Sequence, residues 1–274
     1  MNKIILSDNG TLSDYSNALS SYYSTAKAFE VVGSQDALYI GSRVPFANLY
    51  LKLGTVSSAG VTLSVSYWSD EWEPVVELID GTNGLTQSGH ISFVPNKESA
   101  WEKESTNHAG ESVAGLENLV IYDRYWIKVS FSGNASAGTT LKWVGNKFAD
   151  DNDLGAKFPD LVRSNVLTSF KSGKTDWEEQ HIAAARLIEE DLIDKGYIKG
   201  AGQIINLEDV REAAIQKCAE IVYRSFGTDY VDRAQECREE YLRRLEKRFV
   251  SFDQNMNAIQ DNAEVAQSTG WLSR

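Results

Sequence analysis

The hydrophobic pattern changes its period once along the chain, and that change limits the fold more than any single motif. From Ala37 to about Val144, apolar and small polar residues alternate in short runs rich in Tyr, Val, Trp, Ser and Thr, broken by Gly and Asn clusters. A period of two places alternate side chains on opposite faces of a sheet. Beyond Gly155 the period is 3.6, that of helices with one buried stripe. Strands followed by helices predict an α+β chain in two segregated domains. The expected parts are an N-terminal all-β sandwich of jelly-roll type over residues 1–150 and a C-terminal α-helical bundle over 151–274. The bundle should contain a long antiparallel helix hairpin and end in an extension. Residues 145–155 are polar, acidic and bounded by glycines, the composition of a solvated connection. A chain of 274 residues is long enough for two cores.

Within the first part, the run 61–68 places Val61, Leu63, Val65 and Tyr67 on one face, which should be core. Ser69-Asp70-Glu71 reads as a turn, with residues 72–79 returning as the partner strand. In the run 124–131, Tyr125, Ile127, Val129 and Phe131 share one face and Arg124, Trp126, Lys128 and Ser130 the other. Seven or eight such strands indicate two packed sheets. Residues 13–29, rich in Ser and Tyr, leave arm, strand and loop all open.

In the second part, Thr175-Asp176-Trp177-Glu178 has the form of a capping box and predicts a helix start. Trp177, His181, Ala184, Ile188 and Leu192 form its stripe, and Gly196 its stop. A second helix is expected over 207–226, with Val210, Ala214, Cys218, Ile221 and Val222 inward. A third should span 229–249, with Tyr230, Ala234, Cys237, Tyr241, Leu245 and Phe249 inward. Only Gly227 and Thr228 separate these two, so they should form the hairpin. A shorter helix over 161–170, using Val162, Val166 and Phe170, completes the expected bundle.

The formal charge of −12 disfavours nucleic-acid binding as a main activity, because gripping phosphates needs a cationic surface. Apolar stretches are too short for a membrane span, and Ser7 and Asp8 interrupt the opening too early for an export signal. Two cysteines, Cys218 and Cys237, fit reduced core residues in a cytoplasmic protein. No zinc, phosphate-loop, dinucleotide or nucleophile-elbow motif is present, so no catalytic residue and no cofactor is expected. Acidic pairs such as Glu102 with Glu104 and Glu189 with Glu190 read as solvated charge. Two binding patterns stand out. Asp253, Asn255, Asn257, Asp261 and Glu264 match positions 1, 3, 5, 9 and 12 of a calcium loop, although Ala258 occupies the position that favours Gly. Tyr67, Trp68, Trp72 and Trp126 could stack on a sugar ring, or serve as core.

The segments 65–75, 80–82, 85–93 and 125–129 together resemble a β-sandwich module of phage virion proteins. The helical runs 210–223 and 241–245 resemble the head-to-tail adaptor (connector, head-completion) proteins of tailed phages. That resemblance implies a non-enzymatic structural protein, made in the host cytoplasm and located at the virion neck. It implies a dodecameric ring between the portal protein and a tail-side neck or tail protein, passing DNA without specific binding and touching no membrane. The family's C-terminal segment commonly reaches toward the portal, which would give Trp271 and Leu272 an anchoring role. The alternative is a tail or baseplate component that binds host carbohydrate through Trp68, Trp72 and Trp126.

Overall fold

The computed structural model describes residues 2–29, 31–96, 100–246 and 251–259. The chain is α+β, with antiparallel sheets in its N-terminal part and helices in its C-terminal part. Two compact units result, Met1–Gly145 with Asn255–Ile259, and Asn146–Gln254.

The first unit contains β1 (Lys3–Asp8), β2 (Thr11–Asp14), a single turn α1 (Ser16–Leu19), β3 (Lys27–Ala28), β4 (Ala37–Ser42), β5 (Asn48–Thr55) and β6 (Thr62–Ser69). It continues with β7 (Glu71–Pro74), β8 (Glu77–Asp80), β9 (Gly89–Val94), β10 (Lys103–Glu104), β11 (Asn107–His108), β12 (Glu111–Ser112), β13 (Arg124–Ser132) and β14 (Thr140–Gly145). One sheet has the order β2-β1-β4-β13-β6-β7, with β10 also paired to β13, and the other the order β3-β14-β5-β9-β8. Both sheets feed one core: Ile40, Val65 and Val129 from the first meet Leu51, Phe93 and Leu141 from the second. Val61, Leu63, Val65 and Tyr67 are buried there, as the alternation predicts.

The described residues among the first 35 form strands, turns and the single helical turn α1. Asn9 and Gly10 adopt φ of +46° and +81°, so the β1–β2 hairpin closes on the Asn-Gly pair that such turns favour. The expected 72–79 partner strand is shorter than its pattern. β7 pairs with β6 from Glu71 to Pro74, and the chain then crosses to the other sheet, where β8 pairs with β9. The Val75 amide still donates to the Val65 carbonyl at 3.1 Å, and the next amide, Val76, donates to Val94 of the other sheet at 2.8 Å, which is where the chain changes sheets.

The outer face of the larger sheet is not solvated either. The chain between β10 and β13 folds over it and buries Val113, Leu116 and Ile121 against Ile5, Tyr39, Trp68 and Trp126 as a second, smaller core. This is why Trp126 can sit on the face opposite Ile127 and still be fully enclosed.

The second unit contains α2 (Asp151–Lys157), α3 (Ser164–Phe170), α4 (Glu178–Asp194), α5 (Leu207–Ser225) and α6 (Val231–Arg244). Residues 145–155 are not a solvated linker: Phe148, Ala149 and Leu154 are buried in the helical core. Asp150 caps α2 by accepting from the amides of Asn152 and Asp153, and Asp153 returns a carboxylate to the Asp150 amide. The capping box thus forms at α2. At α4, Trp177 is the cap residue, and no side chain completes the expected box. Asp176 instead accepts from the Glu178 amide at 3.1 Å, while Glu178 is drawn inward to Lys147 at 2.7 Å.

The α4 stripe Trp177, His181, Ala184, Ile188 and Leu192 is buried as spaced, each large apolar member contributing about 1.5–3 kcal/mol. α5 and α6 meet across a turn at Gly227, whose φ of +91° favours glycine. α6 is shorter than expected: it starts after a tight turn at Thr228–Tyr230 and ends at Arg244. Phe249 lies outside the described residues.

Candidate functional site

The tryptophans expected to stack on a sugar are largely enclosed. Trp68 is 4% and Trp126 0% exposed, and Tyr67 belongs to the main core. Each indole N–H is spent internally: Trp68 donates to Glu104 Oε2 at 2.8 Å, Trp126 to the Glu104 carbonyl at 3.2 Å, and Trp72 to the Ala114 carbonyl at 2.8 Å. Trp72 packs edge-on against Trp68, with ring centroids 5.1 Å apart. A sugar platform needs an open ring face. The 105–121 crossing occupies the faces of Trp68 and Trp126, so the three rings do not form one.

The calcium-like segment is split in its surroundings. Asp253 is buried in the helical unit, its amide donating to the Gln203 carbonyl at 2.9 Å and its carbonyl accepting from Gln203 Nε2 at 2.7 Å. Asn255 and Asn257 are grouped with the β unit and make successive side-chain turns, accepting from the amides of Asn257 at 3.1 Å and Ile259 at 2.8 Å. Ala258 takes the left-handed φ of +58° that the position demands, despite not being glycine. Asp261, Glu264, Trp271 and Leu272 lie outside the described residues.

Among the described residues, Asp70, Glu102 and Glu104 bring carboxylate oxygens within 4.8 Å of one another. Partial burial, and then the charge of Asp70, hold Glu102 above the usual carboxylate range. Both Glu104 oxygens already accept hydrogen bonds, from Trp68 Nε1 at 2.8 Å and the Ser112 amide at 3.2 Å. Glu104 is therefore a clamp beneath the second core, which its alternation with Glu102 did not disclose.

A grouping invisible in the sequence joins α2, α4 and α5. His181, 2% exposed, places Nε2 at 3.0 Å from Asp151 Oδ1 and 4.0 Å from Cys218 Sγ. Asp151 also accepts from the Trp177 amide at 3.1 Å. Burial, reinforced by the Asp151 charge, pushes the Cys218 thiol far above its ordinary range. A nucleophilic cysteine needs the thiolate favoured, and these surroundings favour the thiol. The cluster fixes the start of α4 against α2 and α5. No spacing motif reveals it, because Asp151 lies 30 residues from His181.

No family model matches the chain, and no curated protein matches it. The surface with the composition of a protein contact lies at the turn of the helix hairpin. There a concavity of about 490 Å³ opens between α3, α5 and α6. Tyr223 stacks on Tyr230 with centroids 5.9 Å apart, Phe226 lies 5.8 Å from Tyr230, and the Arg233 guanidinium sits 5.8 Å over Tyr223. Beside it Val231 is 56% exposed. The α6 backbone behind this surface is held firmly. Glu220 of α5, buried, takes Arg224 at 2.9 Å, Lys217 at 3.1 Å and Arg238 of α6 at 3.8 Å, and the Tyr241 hydroxyl donates to Asp191 of α4. Desolvation and Asp191 hold the Tyr241 phenol far above its usual range, so it stays a donor.

Proposed function

We propose that this chain is a structural component of a tailed-phage particle, a head-to-tail adaptor that forms a ring between portal and tail and conducts DNA without gripping it. In this reading residues 1–150 are a jelly-roll-like sandwich domain and 151–274 a helical adaptor domain. It has no catalytic role. The observation that carries the reading is the aromatic and arginine concavity at the α5–α6 turn. Tyr, Phe and Arg around a well-packed hollow are the residue types that anchor protein interfaces. Exposed Val231 next to them gives an apolar neighbour for the same surface on an adjoining copy. The sequence resemblance of the helical run 210–223 supports the same assignment. The net charge of −12 supports a lumen that repels DNA. No helix of the described residues is long and apolar enough to cross a membrane.

The test is electron microscopy of the purified chain, alone and mixed with portal rings, read for rings and their symmetry. Rings of about twelve copies are expected, together with their loss in Val231→Glu at unchanged helical content. Monomers under all conditions, or rings indifferent to Val231→Glu, would sink the proposal. Deleting residues 270–274 tests the anchor: tailed-particle counts should fall, and unchanged counts argue against Trp271 and Leu272. Carbohydrate binding is not put forward, because Trp68 and Trp126 have no free face to offer.

A further inference from the structure

One edge of the larger sheet gathers positive charge. Lys3 opens β1, Arg43 follows β4 directly, Arg124 opens β13 and Lys103 opens β10. These strands are successive neighbours, β1 beside β4, β4 beside β13 and β13 beside β10. The register aligns their ends: Lys3 lies opposite Gly41, Ser42 opposite Tyr125, and Tyr125 opposite Lys103. The four cations line one concavity of about 490 Å³. Up to Gly145 the chain has nine Lys and Arg against fifteen Asp and Glu. Four of those nine cations meet here, in a part of the chain where acidic residues outnumber basic ones.

Their charges are poorly compensated. Lys3 is paired with Asp14 at 3.0 Å, but among the described residues Arg43, Lys103 and Arg124 have no carboxylate within ion-pair distance. Asp123, on the rim, attracts Arg124 electrostatically, and its carbonyl accepts from Arg124 Nη1 at 3.0 Å. The Arg124 Nε is buried and finds no acceptor. Desolvation, and then the repulsion of Arg43, depress the Arg124 guanidinium below its usual range. Like charges on adjacent strands destabilise a sheet, and a buried N–H without a partner costs more again. A multivalent oxyanion between these groups would relieve the repulsion.

We propose that this concavity binds a phosphate group, held by Arg43, Lys103 and Arg124. A phosphate dianion offers acceptor oxygens to two planar guanidinium forks and an ammonium at once, whereas a carboxylate is satisfied by one fork. Val120 and Tyr122, both exposed on the wall, give an organic body attached to the phosphate an apolar surface. The rim carboxylate of Asp123 disfavours a second anion and can accept a hydroxyl or amine of that body. The assignment stands apart from the adaptor reading, which concerns the helical unit.

The experiment is thermal unfolding and titration calorimetry of the full chain at constant ionic strength. The ligands are inorganic phosphate, a nucleoside monophosphate, a short DNA duplex, and acetate and chloride as controls. Phosphate should raise the unfolding temperature saturably. Arg43→Gln should raise the unfolding temperature without ligand, by removing repulsion, and weaken phosphate about tenfold or more. Lys128→Gln, a charge loss elsewhere on β13, should leave the phosphate response intact. Tighter binding of the monophosphate than of phosphate makes a small organic phosphate the source, and a steeply salt-dependent response to DNA makes it a backbone phosphate. A response no larger than that to chloride or acetate overturns the proposal. So does a phosphate response that survives in both Arg43→Gln and Arg124→Gln.

Discussion

A steric constraint across the larger sheet of the β unit lies between Gly41 and Trp126, directly opposite each other on β4 and β13. A Cβ built on Gly41 would meet three atoms of the indole at 2.7, 2.8 and 2.9 Å, where ordinary contact begins at 3.4 Å. All three belong to one rigid ring, which is fully buried and tethered to the Glu104 carbonyl at 3.2 Å, so it cannot swing aside cheaply. Gly41→Ala should therefore carry an overpacking cost of about 1–3 kcal/mol. Replacing glycine in a strand returns about 0.5–1 kcal/mol, leaving a net loss of roughly 1–2 kcal/mol, or roughly 2–8 °C in unfolding temperature. Trp126→Leu alone should cost ~3 kcal/mol or more, from the cavity and the stranded Glu104 carbonyl. In that background the added methyl enters vacated space, so Gly41→Ala should be neutral or stabilising, with a coupling of about 1–3 kcal/mol. Urea unfolding followed by far-ultraviolet circular dichroism on the four proteins of the cycle measures it. Additive costs, within about 0.5 kcal/mol, would refute the steric argument. A stabilising Gly41→Ala in the parent chain would refute it outright.

Three further outcomes follow from the helical unit. Burial pushes the Cys237 thiol up to about 11 and Cys218 higher still, so neither should react with a thiol reagent at pH 8 until the chain is unfolded; rapid native labelling of either would contradict this. Arg243 and Arg244 hold Glu240 down to about 2, against an ordinary 4.5. The folded state then binds fewer protons than the unfolded one, so this stabilisation is present above about pH 4.5 and lost as pH falls toward 2. At a surface position it amounts to ~0.5–1 kcal/mol, and the acid limb of the stability profile should flatten by that much in Glu240→Gln. Lys147 and Glu178 form a buried ion pair at 2.7 Å, and Lys147→Met should cost about 3–5 kcal/mol by removing one charge of a buried pair. Lys147→Met with Glu178→Leu should recover much of that stability in a urea titration, and no recovery would show that the pair is not coupled.

Period alone carried much of the architecture. The inward faces of β6 and α4 follow the alternation or the helical stripe residue for residue, and those of β13 and α5 do so except that Tyr125 and Ile221 are only partly buried, because burial on one face is what creates such patterns. What went unread was of two kinds. Some signals were local and overlooked: Asn9-Gly10 is a hairpin turn by composition, and Asp150 with Asp153 can cap a helix as well as any Thr and Glu. The others were not local at all. Trp126 alternates onto a face that an isolated strand would leave wet, and only the 105–121 crossing, with Val113, Leu116 and Ile121, makes that face a core. Asp151 reaches His181 because α2 packs beside α4, not because of any spacing between them.

The cationic concavity is the extreme case of this second kind. Lys3, Arg43, Lys103 and Arg124 are scattered singly, each among polar neighbours, and each alone reads as an ordinary solvated charge. They converge because β4 and β13 are paired at the centre of the sheet although far apart in the chain, and because β1 and β10 then flank that pair. The pairing brings these strand ends to within two register levels of one another, Lys3 level with Gly41 and Trp126, and Lys103 level with Tyr125 beside Arg124. Moving β13 by one residue against β4 would transfer Arg124 and Trp126 to the inner face and Ile127 and Val129 to the outer. The main core forbids that slip, since Ile127, Val129 and Phe131 are buried in it. The same hydrophobic register that holds the sheets together therefore holds the cations at one end, against their mutual repulsion. An arrangement enforced in this way is not free to relax by local motion. Its repulsion should be relieved only by a bound anion or by substitution, and this is why Arg43→Gln is expected to stabilise the free protein while weakening its hold on phosphate.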